Sequence, residues 1–493
     1  MIALTLGAIA DATRGTVVPA DATDLVVDGP VDVDSRRLGA GGLFVAVAGE
    51  RVDGHDFADA AAERGAVAAL GSRPLDLPTV VVPDPVVALG DLAREVLARR
   101  RAGTQPIRVL ALTGSAGKTS TKDLMAAVLA DPDPGPDHAA SAVVATAGNF
   151  NNEIGVPLTV LRLTDRTSHL VLEMGARGIG HIAMLCRIAR PDVAAVLNVG
   201  SAHLGEFGSR EAIAQAKGEI VEALPPAEQQ GVAVLAADDV RVAAMAPRTR
   251  ARVLTFGRDA AADVRAVDER VDDVGRVSFT LTHGAESAEV ALRGPGRHQV
   301  LNALAAAAAA LAVSVPVPEV AARLSEARGG SPWRMEVTDV DGITVVNDAY
   351  NANPESMRAA LDVLGGLGGR RAVAVLGAMG ELGDDAPTAH AEVGAYAVPR
   401  VAALVVVGPQ ARQIAEGARE AVARGAGDCE VVEVPDHAAA LHWLRTELRD
   451  DDVLLAKGSR SAGMEVVALD LVEHGWRGAP QAPGHGRAAE DDA

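Results

Sequence analysis

Residues 107–122 read IRVLALTGSAGKTSTK: an apolar run breaks into a loop with two glycines, and a Lys-Thr pair follows at once. Few folds accept this order. A buried strand that ends in a glycine loop and passes directly into a helix predicts the carboxyl edge of a parallel sheet, where helix N-termini and loop N–H groups collect anions. Thr113, Gly114, Ser115, Ala116, Gly117, Lys118, Thr119 and Ser120 are thus expected to curl around phosphates. Lys118 supplies charge between them, and the Thr119 hydroxyl reaches Mg²⁺. The usual first glycine of such a loop falls at Leu112, so this is a variant of the pattern.

Lys118 is one of four lysines; the other forty-two basic residues are arginines. Where a plain surface cation suffices, arginine has replaced lysine, so each survivor is a candidate for chemistry a guanidinium cannot do. The others are Lys122, four residues along the same segment, Lys217 in AQAKGEI and Lys457 in LLAKGSR.

The formal charge of −20 argues against a nucleic-acid or anionic-membrane partner. Phosphate ligands must be held by local donors against that field. Cys186 and Cys429 sit in no metal or redox spacing, which predicts a reduced, cytoplasmic setting. The first residues lack a basic segment of the kind that opens a signal peptide, and no apolar run approaches the ~18 residues of a membrane span.

At roughly 150 residues per domain, 493 residues predict three domains. Up to 102, short strands such as GLFVAVAG alternate with helices, and RRRAGTQP around 100–106 reads as a linker. From 103 to 330 the runs VLALT, HLVLEM, AAVLNVG and VAVLAA predict buried parallel strands with helices on both faces, a doubly wound α/β sheet. LNALAAAAAALAV (301–313) predicts a helix packed closely on it. After RGGSPW (328–333), the runs RAVAVLGAM, AALVVVGP and DDVLLAKG repeat the alternation over 331–476. The tail 477–493 has the composition of disorder, and DPDPGPDHAAS (131–141) that of a surface loop.

Glu173 ends one predicted strand, His203 follows another, and both are expected beside Lys118 at the sheet's ligand crevice, where a carboxylate and an imidazole near phosphates suggest Mg²⁺ ligation. Lys217 lies on a predicted helix. Two polar clusters stand out: GNFNNEIG (148–155), with Asn151 and Asn152, and NDAYNANP (347–354), with Asp348, Tyr350, Asn351 and Asn353. Asp348 can accept from ribose hydroxyls, and the asparagines can bond polar substrate groups. Asx-turns and a helix N-cap account for part of the same pattern.

Taken in order, DSRRLGAGGLFVAVAGERVDGHDF, TGSAGKTSTK, GNFNNEIGVPLTVL, EMGA, NVGSAHLGEFGS, AKGEI, NDAYNANPESM, GAMGELG and KGSR resemble the Mur ligase family over about residues 30 to 470. The resemblance implies an N-terminal α/β domain for a UDP-linked substrate, a central ATPase and a Rossmann-like C-terminal domain. It implies ATP-dependent joining of D-alanyl-D-alanine to the terminal carboxylate of UDP-N-acetylmuramoyl-tripeptide through an acyl phosphate, by a monomer. Thr119 and Glu173 would hold one Mg²⁺, and His203 with Lys217 as a carbamate a second. Asn302 and Arg334 would contact ATP, and Asp348 its ribose. Ser35, Arg36, Gly54 and His55 would meet the UDP end, and Lys457 a substrate carboxylate. The family usually has Glu where this chain has His181, and Asp where it has Ala378; neither belongs to the implied metal set. The Asp-Asn-Pro-Arg tetrapeptide of the ligase that adds diaminopimelate does not occur. A P-loop ATPase acting as a switch is the reading from another class, and it leaves Lys217 and the third domain unexplained.

Overall fold

The computed structural model of the protein describes residues 1–49, 52–130, 142–200, 204–367 and 369–477. The loop expected at 131–141 and the tail, apart from Arg477, lie outside the described residues. Two compact units emerge. One comprises Met1–Arg270, Val277–Arg293 and His298–Ser331; the other comprises Val271–Arg276, Gly294–Arg297 and the chain from Pro332. Among the described residues, no helix is long and apolar enough to cross a membrane.

The first unit holds two main sheets. The N-terminal one orders its strands Thr16–Val18, Thr79–Val81, Ala66–Gly71, Gly42–Val45 and Val31–Asp32, with only the first pair antiparallel. The helix Pro85–Ala102 follows it. Asp84 caps this helix by accepting from the N–H groups of Val86 and Val87, and proline at the first position costs nothing there. Leu89, Leu92, Val96 and Leu97 form its buried stripe.

The helix runs into the segment expected as a linker. Arg100 explains why: it is buried, and its guanidinium donates to the carbonyls of Gln105, Thr164 and Thr167 at 2.6, 3.1 and 2.5 Å. A charge-assisted clamp on three carbonyls holds this stretch in place.

The second sheet of this unit has nine strands. From one edge they run Glu286–Pro295, Arg276–His283, Val264–Val271, Arg252–Gly257, Val232–Ala236, Val193–Val196, Arg108–Thr113, His169–Glu173 and Val143–Ala145. The last seven are parallel. Arg108–Thr113, the first of them in the chain, lies between two later strands, so the winding direction reverses there and a crevice opens at its carboxyl end. The four strands expected from VLALT to VAVLAA all form. The three long strands from 264 to 295 were not anticipated. Their apolar residues alternate with Arg, Asp and Glu, as in a sheet wet on one face, and the search for continuous apolar runs passes over that period.

The alanine-rich stretch forms the helix His298–Ala312, fully buried from Ala303 to Ala309. It packs on the helix Lys118–Leu129 and on the strands Val232–Ala236 and Arg252–Gly257. Methyl side chains permit that close approach on two fronts.

The second unit is built on a six-stranded sheet ordered Glu336–Val340, Ile343–Asn347, Val453–Lys457, Ala372–Leu376, Ala403–Val407 and Glu430–Val434, parallel except for its first pair. The strands expected from RAVAVLGAM, AALVVVGP and DDVLLAKG are among them. Helices cover both faces over two apolar cores.

Candidate active site

Gly117 turns the chain from the strand Arg108–Thr113 into the helix Lys118–Leu129 at φ +80°, a conformation that glycine adopts without penalty. Its missing side chain also makes room: a Cβ there would lie 2.3 Å from Asn302 Oδ1. Asn302 is buried; its oxygen accepts from the Thr121 hydroxyl at 3.3 Å, and its amide donates to Gln299 Oε1 at 2.9 Å. The Lys118 ammonium donates to the Gly114 carbonyl at 2.9 Å, across the loop it belongs to.

Behind the loop, the Thr119 hydroxyl donates to Glu173 Oε2 at 2.8 Å, and Asn151 Nδ2 donates to Oε1 at 2.8 Å. Glu173 is 2% exposed, and its own N–H is taken by the Thr146 hydroxyl. Asn151 thus orients the carboxylate, whereas Asn152 accepts from the N–H groups of Ile154 and Gly155 and shapes the start of the helix Gly155–Val160. Sequence pattern alone did not separate these roles. Gly175 adjoins the same asparagine; a Cβ there would meet Asn151 Oδ1 at 2.9 Å.

Lys217 sits on the helix Arg210–Glu222 and is buried. Its amine forms no hydrogen bond or ion pair among the described residues. Burial, seconded by the charge of Lys118, holds it well below the usual lysine range. Its helix is pinned on both sides. Glu219 accepts from the N–H groups of Gly180 and Ala183 at 2.5 and 2.9 Å, capping the neighbouring helix His181–Ile188. Arg248 donates to the carbonyls of Ala214 and Gln215 and packs against Gly218, where a Cβ would be 1.9 Å from the guanidinium. His203, the other expected partner of Lys217, lies outside the described residues. Lys122 is buried, ion-paired with Asp123 and 3.5 Å from the Ser331 hydroxyl, so it braces the end of this unit.

In the N-terminal sheet, Asp34 accepts from Arg36 through both carboxylate oxygens and caps the turn Ser35–Arg37. Gly54 leaves no room for a side chain beside the Val47 carbonyl, 2.5 Å from its absent Cβ. His55 is not offered to a ligand. Its Nε2 accepts from the Ser72 N–H at 2.9 Å and its Nδ1 donates to Asp53 at 2.6 Å, so both ring nitrogens are spent under the loop. The Arg73 guanidinium, then His55, hold the Asp53 carboxyl well below the usual range.

The second unit has its own cluster. Lys457, at the end of a central strand and 1% exposed, donates to Asp348 Oδ2 at 2.5 Å, to the Asn351 carbonyl at 3.0 Å and to the Asp348 carbonyl at 3.3 Å. All three protons of the ammonium are engaged. Lys457 thereby ties KGSR to NDAYNANP. Asp348 Oδ1 accepts from the Met335 N–H, and the Arg334 guanidinium stacks 4.3 Å above the Tyr350 ring. Asn353 caps the helix Pro354–Gly366 in a reciprocal box with Ser356, and the Asn351 oxygen accepts from the Ala352 N–H. A tie of this kind predicts that Lys457→Met lowers the melting temperature and weakens nucleotide binding together. A stable variant in which only the KM for the incoming amine rises would restore the substrate role.

Also unread in the sequence is His390, buried, with Nε2 accepting from the Met379 N–H and Nδ1 donating to the Ala386 carbonyl; it holds the GAMGELG turn. Asn198 likewise went unassigned within NVGSAHLGEFGS; its oxygen accepts from the N–H groups of Ser115 and Ala116. Among the described residues, no three His, Cys, Asp or Glu side chains form a group fit to hold a metal.

The chain matches the models of the Mur ligase middle domain over residues 112–310, the Mur ligase glutamate ligase domain over 333–460 and the Mur ligase family catalytic domain over 30–108. It is 47% identical to the UDP-N-acetylmuramoyl-tripeptide–D-alanyl-D-alanine ligase of Mycobacterium bovis, across 96% of this chain and 98% of that protein. Among solved structures, MurF from Acinetobacter baumannii superposes with a TM-score of 0.82 at 33% identity, covering 96% and 99% of the two chains. MurF ligase from Thermotoga maritima in complex with ADP gives 0.75 at 31%, covering 91% and 97%.

Proposed function

The chain belongs to the Mur ligase family, and from that premise we propose that it joins D-alanyl-D-alanine to UDP-N-acetylmuramoyl-tripeptide at the expense of ATP, in peptidoglycan precursor synthesis. Support comes above all from 47% identity, spanning nearly the whole of both chains, to a ligase named for that reaction. The Thr119–Glu173 pair directly behind a Lys-Thr phosphate loop agrees with it.

In this reaction the tripeptide carboxylate attacks the γ-phosphorus of ATP, forming an acyl phosphate and releasing ADP. The D-alanyl-D-alanine amine then attacks the acyl carbon, loses a proton, and inorganic phosphate departs. The chain's task is placement and charge neutralisation. The loop N–H groups and Lys118 hold phosphates. Asn302 contacts the nucleotide beside this loop, and Ser35, Arg36 and Gly54 the UDP end, with His55 in support; Arg334 and Asp348 are assigned to nucleotide contact within their own unit. Residues 1–102, 103–330 and 331–476 serve as the UDP-substrate, ATPase and ligase domains.

Thr119 and Glu173 would hold one Mg²⁺, and His203 with carbamylated Lys217 a second. Magnesium at these places neutralises phosphate charge. The described residues suit it: two buried oxygen donors stand 2.8 Å apart, and Mg²⁺ keeps several waters rather than seeking a full protein cage. Tyr350, Asn351 and Asn353 would line the substrate side of their own unit. We place the protein in the cytoplasm as a monomer. Its two cysteines are free and buried, with burial pushing the thiols of Cys186 and Cys429 up to about 12 and about 11.

Mass spectrometry of the product from UDP-N-acetylmuramoyl-tripeptide, ATP and D-alanyl-D-alanine tests the reading. The dipeptide should be used at least ~100-fold better than single amino acids, because a site built for its second residue leaves polar groups unpaired without it. Robust incorporation of free diaminopimelate overturns it, and ATP turnover without either peptide substrate favours an ATPase switch.

A further inference from the structure

Between the strand Val193–Val196 and residue 200 the chain makes several bonds to the phosphate loop. Asn198 Oδ1 accepts from the N–H groups of both Ser115 and Ala116 at 2.9 Å, and its Nδ2 returns a bond to the Ala116 carbonyl at 3.0 Å. One residue further, the Val199 N–H donates to Asp239 Oδ2 at 2.8 Å. The Gly200 N–H then donates to the Ser115 hydroxyl at 2.9 Å. Asp239 is itself fixed, since its other oxygen caps the helix Val240–Ala243. The phosphate loop is therefore bonded through side chain and backbone to a segment more than eighty residues away, which is anchored in turn at the end of the strand Val232–Ala236.

We propose that Asn198 is a positioning residue for the nucleotide phosphates: it fixes the curl of residues 115–116 so that phosphate falls to Lys118 and the N–H groups from Gly117 onward. The physical reason lies in donor accounting. A glycine loop is floppy in isolation, and its N–H groups point many ways. Asn198 spends two of them on one oxygen and locks the Ala116 carbonyl that follows with its amide. The N–H groups at the start of Lys118–Leu129 then face the ligand from a set geometry. Ordering the loop beforehand removes an entropy cost from nucleotide binding. The inference rests on the ligase reading only for the identity of the nucleotide.

The test uses the full chain with Asn198→Ala, Asn198→Asp and Ser115→Ala. It measures ADP binding by calorimetry, the KM of each of the three substrates, and thermal unfolding. Asn198→Ala should weaken ADP binding and raise the ATP KM by roughly 10- to 100-fold, the value of two or three lost hydrogen bonds in a site that must stay ordered. The KM values of the two peptide substrates should stay within about twofold, since nothing uniform to all ligands is lost. Asn198→Asp keeps the accepting oxygen but sets a second oxygen against the Ala116 carbonyl, so it should be at least as poor as alanine. Ser115→Ala removes only the link to Gly200 and should cost about threefold. Parent-like ADP affinity in Asn198→Ala overturns the proposal. So does a parallel rise of all three KM values with a collapse in melting temperature, which marks a brace of the whole fold. If Asn198→Ala does not fold, the Asp and Ser115 variants carry the same comparison. ADP binding needs no ligation, so a parent protein that binds ADP yet joins nothing defeats the ligase reading and leaves this one standing.

Discussion

Lys217→Arg is expected to abolish ligation, with a loss on the order of a thousandfold in kcat, while the protein folds and still binds ADP. The prediction starts from a buried amine with no hydrogen-bonding or charged partner among the described residues. Burial, then the charge of Lys118, disfavours an ammonium here and so favours the neutral amine. A neutral amine can add CO₂ and release a proton to give the proposed carbamate, which would put a pair of oxygen donors where a cation stood. Arginine keeps its charge at every accessible pH and cannot make that change. Lys217→Ala should also be inactive, but short carboxylic acids such as acetate should restore part of its rate by standing in for the lost oxygens. Depleting CO₂ from the parent enzyme should lower its rate, and bicarbonate should return it. A Lys217→Arg variant that ligates at the parent rate refutes the carbamate role outright.

What could be read from the sequence follows from how local the physics is. The strand–loop–helix turn at Gly117 was legible because strand, glycines, Lys118 and helix are consecutive, and each constrains the next. Glu173 was legible because strand ends in a doubly wound sheet meet at one crevice. Lys457 was not. Its isolation among arginines marked it as special, but the acceptors that explain it, Asp348 and the Asn351 carbonyl, lie more than a hundred residues away. A separation of 64 and 67 residues hid Arg100, whose carbonyl partners at Thr164 and Thr167 turn an expected linker into a clamp. His55 held partners that its motif did not reveal: Ser72 and Asp53 use both ring nitrogens. Polar residues that satisfy one another across the fold leave no periodic trace, so their roles appear only once topology brings the partners together.

Gly117→Ala is the second change expected to silence the protein, and its cost has two separable parts. The first is backbone strain. Alanine at φ +80° stands in the left-handed region, a penalty of about 1–2 kcal/mol. The second is contact. The new methyl would sit 2.3 Å from Asn302 Oδ1, and that oxygen cannot simply swing away. Its amide is bonded to Gln299, it accepts from Thr121, and the residue is buried in the first turns of the helix His298–Ala312. Relief must come from the loop, whose N–H groups then lose their aim at the phosphates. Nucleotide affinity should fall by at least ~100-fold, well beyond what strain alone would cost a folded protein. Gly284 supplies the control. It has φ +59°, lies in the turn between the strands Arg276–His283 and Glu286–Pro295, and would meet nothing within 4 Å of an added Cβ. Gly284→Ala should therefore lower the melting temperature slightly and leave the ATP KM unchanged. If the two variants lose nucleotide affinity equally, strain rather than the Asn302 contact governs the loop; if Gly117→Ala binds ADP as the parent does, the loop is not the phosphate site.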